Sequence, residues 1–270
     1  MIMYAGTTIH GKSGGFIGVH QRIDRVSRRN LSMLPGVHKG FPLISEILHF
    51  EGNNGPDGIK RKSPSVDEPW HYIDPNNPND RELVTMILDH HHNLVAALKD
   101  HNNERAAYEA AWLAHAITDG LTPAHHYPLS DKIEELWGKP KEERLTILDK
   151  NLIKGKNHAD TIARNWEYWG TNGVFMTHGL FELGIAAAIK TTSFRNSVPS
   201  LEWLKEADEK GLELTFLDAM EEIYGRSLYE RYWKQGWTTK LATETRQFLI
   251  PKICAVITYA WYTAYREAGL

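Results

Sequence analysis

Three times in the chain a histidine is followed four residues later by a carboxylate: His20 and Asp24, His115 and Asp119, His178 and Glu182. On a helix that spacing sets both side chains on one face, a turn apart, where imidazole and carboxylate can share a metal ion. The pattern alone carries little weight, because 14 histidines and 34 acidic residues in 270 positions give about two such pairs by chance. Context singles out one of them. His115 and Asp119 lie in the apolar run AAWLAHAITDG, where a buried histidine and aspartate without partners would be costly. Directly after Asp119, Gly120 and Pro123 turn the chain and bring His125 and His126 close behind.

These residues need helices to position them, and helical periodicity dominates the sequence. The pattern predicts helices at Ile17–Met33, Asp80–Lys99, Asn103–Asp119, Leu129–Trp137, Lys141–Leu152, Ala159–Trp169, Val174–Ile189, Leu201–Ile223, Ser227–Gln235, Thr239–Leu249 and Pro251–Ala268. No run of alternating strand residues stands out. Gly52 to Asp80, with GNNGPDG and DPNNPND, reads as a loop, and a loop of that length is often functional. Without an internal repeat or a linker-like break, the expectation is one all-α domain over residues 1–270.

HAITDGLTPAH resembles the His-x3-Asp-x3-Pro-x-His signature of the zinc-dependent phospholipase C and S1/P1 nuclease superfamily, an all-helical, multi-helix fold that binds three zinc ions. Three further elements follow the family's order: GPDG at residues 55–58, WHYIDP at 70–75 and THGLFE at 177–182. The resemblance implies one zinc held by Asp57, His71, His115 and Asp119, and a second held by His125, His178 and Glu182, with Asp119 able to bridge two ions. Glu51 competes with Asp57, but GPDG fits the family position better. In the family the third zinc is gripped by an amino-terminal Trp and a nearby His. This chain has Met1 and no Trp before Trp70, so His20 is the best remaining donor and His10 the next, with Asp24 placed to orient His20. The stretch between His125 and His178 is longer than in compact members, which implies a helical insertion or lid around residues 128–170.

Other candidates read more plainly. His90, His91 and His92 are consecutive on a helix, point about 100° apart and are expected at the surface. His126 is out of phase with the signature and is expected beside the site or exposed; His38, His49, His101 and His158 have no motif support. Trp70 adjoins a ligand candidate and could line a substrate cleft. Trp112 is expected in the core. Lys60, in the basic run Lys60, Arg61, Lys62, could meet a substrate phosphate, although a solvated loop accounts for the run as well.

Composition trims the alternatives. The formal charge of −3 gives no electrostatic reason to gather nucleic acid. One cysteine, Cys254, excludes an internal disulfide. The apolar stretch from Phe248 to Tyr262 is broken by Pro251 and Lys252 and is short of a membrane span. The amino terminus lacks the basic and apolar regions of a signal peptide, so the expectation is a cytoplasmic protein, although family relatives are often exported.

The resemblance therefore implies a phosphoric ester hydrolase with two to three zinc ions, acting on a phospholipid or small phosphodiester, with Asp57 as candidate general base. Phospholipase C is preferred to nuclease because Leu121 stands where the nuclease branch usually has a second His and because a GGN segment is missing. An S1/P1-type single-strand nuclease and a non-catalytic zinc-binding domain are the alternatives.

Overall fold

The structure, a computed structural model, describes residues 18–64, 69–126, 134–170, 173–195 and 197–270. Their regular structure is all helical, with no strand among them. His10 and residues 128–133, where the expected insertion begins, lie outside the described residues.

At the centre is a helical hairpin. Helix α4 follows three shorter helices, α1 (Val19–Leu31), α2 (Ile44–Ile47) and α3 (Pro56–Lys62), and spans Glu82–Lys99; α5 spans Asn103–Gly120. Only three residues join α4 to α5. His101 takes up a left-handed conformation (φ 52°) there, and the Asn102 side chain accepts from the backbone N–H of Arg105 to cap α5. The alanines Ala106, Ala107, Ala110, Ala111, Ala114 and Ala116 are all buried and let neighbouring helices come close. At the end of α5, a Cβ on Gly120 would stand 2.6 Å from Phe216 Cζ and 2.9 Å from Leu83 Cδ2.

The carboxy-terminal helices close this core. In chain order they are α6 (Ile147–Asn151), α7 (His158–Trp169), α8 (Val174–Ile189), α9 (Leu201–Tyr224), α10 (Leu228–Gln235), α11 (Thr239–Glu244) and α12 (Ile250–Glu267). Helix α12 packs on α1, α4 and α5, and buried Trp261 donates from Nε1 to Ala110 O. The five residues Thr245–Leu249 ahead of it form a π turn. Pro251 has no N–H to give and its ring crowds the preceding carbonyls, so the wider turn joins α11 to α12 where the sequence predicted a helix running to Leu249.

Two predicted helices differ in kind. The stretch read as Lys141–Leu152 is a 3₁₀ turn at Lys141–Glu143 followed by the short α6, which begins at a Thr146 cap. In α9, Gly211 has φ 82° and ψ 170°, which breaks the helix into two segments. Residues 158–189 are long and apolar enough, by length and composition, to cross a membrane. Gly170 and Gly173 are extended, however, and divide the stretch into α7 and α8.

The region expected as an insertion has a small hydrophobic cluster of its own: Leu136, Trp137, Ile153 and Tyr168, with Val174 and Phe175 packed on it. The main core runs instead through α1, α4, α5, α8, α9 and α12.

Candidate metal centre

Six parts of the fold meet at the carboxy-terminal end of α5. Helix α5 contributes His115 and Asp119, which are 1% and 2% exposed, with His115 Nε2 standing 3.3 Å from Asp119 Oδ2. Helix α1 brings in buried His20, whose Nε2 lies 3.3 Å from Asp119 Oδ1 and whose ring stacks on that of His115 with centroids 4.0 Å apart.

The loop before α3 supplies two carboxylates. Glu51 is fully buried and leads into the 3₁₀ turn Gly52–Asn54; six residues later Asp57 sits in the first turn of α3. Its glycines are dictated by close backbone approach. A Cβ on Gly58 would lie 2.2 Å from Asn53 O, and one on Gly55 would lie 2.7 Å from Phe50 O. Asp57 Oδ1 is 3.9 Å from His115 Nε2. Reading GNNGPDG as plain loop missed α3, whose signal was Pro56 in the first turn after Gly55.

Residues 69–75 carry His71 across the cluster, with Nδ1 2.5 Å from Asp119 Oδ2. The same stretch grips the turn after α5: Ile73 N–H donates to His125 O at 3.1 Å, and His125 Nδ1 donates to His71 O at 2.6 Å. That second bond fixes the His125 tautomer and leaves Nε2 to face Glu182 Oε1 at 3.1 Å and Asp119 Oδ1 at 3.9 Å. Within the turn, Thr122 Oγ1 donates to Thr118 O. Helix α8 adds His178 and Glu182, with His178 Nε2 2.8 Å from Glu182 Oε1.

Among the described residues, three sets of donors have ligand atoms within 4.8 Å of one another: His20, Glu51 and His115; Asp57, His71 and His115; His125, His178 and Glu182. These buried His, Asp and Glu clusters could hold metal ions. The donor chemistry fits a borderline cation such as zinc. So do the buried imidazole nitrogens without hydrogen-bond partners, His71 Nε2 and His178 Nδ1, since such atoms are uncommon in folded proteins.

Burial and mutual charge govern the electrostatics. Burial pushes His71 well below the usual imidazole range, and the Lys60 ammonium adds to it. Burial lowers His115 too, but the carboxylates of Asp119 and Glu51 outweigh it and hold the ring well above its ordinary value. Burial favours the neutral form of Asp119, yet His125 and His115 overcome it and keep the carboxyl well below the usual range. Burial raises Asp57 and, with Glu51 nearby, raises Asp24 strongly. Glu182 is lowered because His178 and His125 offset its burial.

All eight expected ligand positions, His20, Asp57, His71, His115, Asp119, His125, His178 and Glu182, thus meet in one buried region. Lys60 and Trp70 stand beside it. Lys60 Nζ donates to Tyr72 OH at 3.3 Å, Tyr72 stacks on His125 with centroids 5.3 Å apart, and Trp70 meets Tyr72 edge-on. Glu51, ranked behind Asp57 on sequence, is in the cluster together with it.

The remaining histidines divide. His126 is buried, donates from Nε2 to Gly120 O at 2.7 Å, and is pushed down to about 4 by burial. His92 and His49 are exposed. His90 and His91 depart from the surface expectation: His90 Nδ1 lies 2.5 Å from buried Glu109 and His91 Nε2 lies 2.9 Å from Thr263 Oγ1, since α5 and α12 cover that flank of α4. Trp112 is in the core as expected. Compared with known protein families, curated proteins and solved structures, the chain matches none.

Proposed function

We propose that the cluster binds two to three zinc ions and that the protein hydrolyses phosphodiesters, in the manner of a phospholipase C. One observation carries the reading: imidazoles and carboxylates from α1, α3, α5, α8 and two connecting segments bring their ligand atoms within 4.8 Å in three sets while buried from solvent. So many ionisable groups are costly to bury together unless cations compensate them. Zinc held there would supply Lewis-acid stabilisation of phosphoryl oxygens and lower the pKa of water toward ~7.

The chain's own residues divide the remaining work. Among the proposed ligands Asp57 has the least covered carboxylate, its side chain 11% exposed against 3% for the side chains of Asp119 and Glu182, which suits it to accept a proton from an attacking water. Lys60 can offer its ammonium to a phosphate oxygen beside Tyr72. Trp70 can supply a wall against the rest of the substrate. A phospholipid or small phosphodiester suits a chain of mildly negative charge better than nucleic acid does.

The test is metal analysis of the purified protein together with turnover assays on a phosphocholine ester and on single-stranded DNA. The expected result is two to three zinc equivalents and turnover of the ester, both reduced by Asp119→Asn. Fewer than one tightly bound ion overturns the reading. Cleavage of DNA alone would make the protein a nuclease, and bound zinc without either activity would make it a zinc-stabilised domain.

A further inference from the structure

We infer that Glu51 is a positioning residue for His115, holding the ring by its Nδ1 edge so that Nε2 faces Asp57 and Asp119. The inference rests on the metal-centre reading above and extends it to a residue that the spacing of ligands does not single out. Both Glu51 carboxylate oxygens lie 3.4 Å from His115 Nδ1, and Glu51 is fully buried. On the opposite edge of the ring, Nε2 lies 3.3 Å from Asp119 Oδ2 and 3.9 Å from Asp57 Oδ1. The stacked His20 ring covers one face of the imidazole. With one nitrogen committed to a carboxylate, the other is left as the ligand atom in a fixed direction, the arrangement in which an outer carboxylate orients a metal-binding histidine and strengthens its basicity.

Glu51 is itself held in place. Its Oε2 accepts from Gly52 N–H at 3.3 Å, and Gly55 folds back so closely that a Cβ there would stand 2.9 Å from Glu51 Cα. Because Asp57 lies six residues further along the same tight loop, one element sets both a ligand and the group that aims a second ligand.

The experiment measures zinc affinity and stoichiometry by chelator competition in wild type, Glu51→Gln, Glu51→Ala and, as a control, Glu109→Gln. Glu109 is an equally buried carboxylate paired with a histidine away from the cluster. Glu51→Ala is expected to weaken the affected zinc by roughly 10- to 100-fold with the number of ions unchanged. Glu51→Gln, whose amide oxygen still accepts from Nδ1–H, should weaken it less, and Glu109→Gln should leave it unchanged. In the zinc-loaded protein, ¹⁵N-resolved NMR should show a hydrogen-bonded His115 Nδ1–H that shifts in Glu51→Gln and loses its protection in Glu51→Ala. Wild-type affinity in Glu51→Ala overturns the inference, as does equal weakening by Glu109→Gln. Loss of one whole equivalent in both Glu51 variants also overturns it, by making Glu51 a ligand. Failure of the wild type to bind zinc at all would instead remove the metal-centre reading on which it rests.

Discussion

Burial pushes the Cys254 thiol up to about 12, and this single residue sets a measurable property. Cys254 is fully covered where α12 meets α1, and Ser27 Oγ donates to its carbonyl. Its sign as a source of stability follows from linkage. The native thiol stays protonated while an unfolded one ionises above its ordinary value of roughly 8.5, so the native state holds the extra proton and stability is lost as pH rises from that value toward 12. The slope is about 1.4 kcal/mol per pH unit over that window. Denaturation midpoints measured between pH 8 and 10 should fall less steeply in Cys254→Ala than in wild type, and iodoacetamide should label Cys254 only on unfolding; ready labelling of the native protein would contradict this burial. At the same scale, the four-residue spacing found two true contacts, His115 with Asp119 and His178 with Glu182, because on a helix sequence distance fixes spatial distance. Glu51 obeys no such rule. It reaches His115 across 64 positions through a loop whose path depends on Gly52, Gly55 and Gly58, and residue spacing does not encode that path.

Among the elements, legibility tracked how much of the structural signal was local. Helix α8 has the predicted limits Val174–Ile189, and α5 differs only by including Gly120, since Asn102 caps one end and Gly120 with Pro123 marks the other. Helix α4 was expected from Asp80 and begins at Glu82, but its pairing with α5 as a hairpin is a finding of the structure. The π turn, the break at Gly211 and the splitting of 141–152 were less legible, because each is a change of backbone geometry, at Pro251, Gly211 and the Thr146 cap, that leaves the apolar periodicity around it unbroken. Gly120 shows how tightly the element that carries the ligands is fitted: Phe216 and Leu83, both fully buried, occupy the space a methyl group would need. Gly120→Ala should therefore destabilise the protein by about 1–3 kcal/mol despite the better helix propensity of alanine. Urea denaturation checks it, and unchanged stability would mean that the contact relaxes freely. The small cluster around Trp137 sets a second expectation. Trp137→Ala should speed amide exchange in α6 and α7 while α4, α5 and α12 keep their protection, because those helices belong to the other core. Loss of protection throughout would join the two regions into one cooperative unit.

At the scale of the whole molecule, the candidate ligands tie together parts of the chain that the hydrophobic core holds unequally. Helices α1, α5 and α8 bury long apolar faces, whereas α3 buries only Pro56 and Gly58, and residues 69–75 contribute mainly Tyr72 and Ile73. Ions bridging these segments would bind the native state and not the unfolded chain, so removing them should lower stability by an amount set by free metal and affinity, about 2.7 kcal/mol when the ion is present at 100 times its dissociation constant. The loss should also be uneven. In the chelated protein, α3 and 69–75 should exchange their amides first, because the remaining contacts with His71, Asp57 and Glu51 place carboxylates against one another without a cation between them, while α4, α5 and α12 keep most of their protection. Thermal melting with and without EDTA, followed by hydrogen exchange at the level of peptides, tests both parts. A lower midpoint with early exchange confined to α3 and 69–75 would support a metal that fastens the Glu51–Asp57 loop to a preformed helical core. An unchanged midpoint, with these segments as protected as before, would mean that the imidazole and carboxylate pairs hold the cluster by themselves.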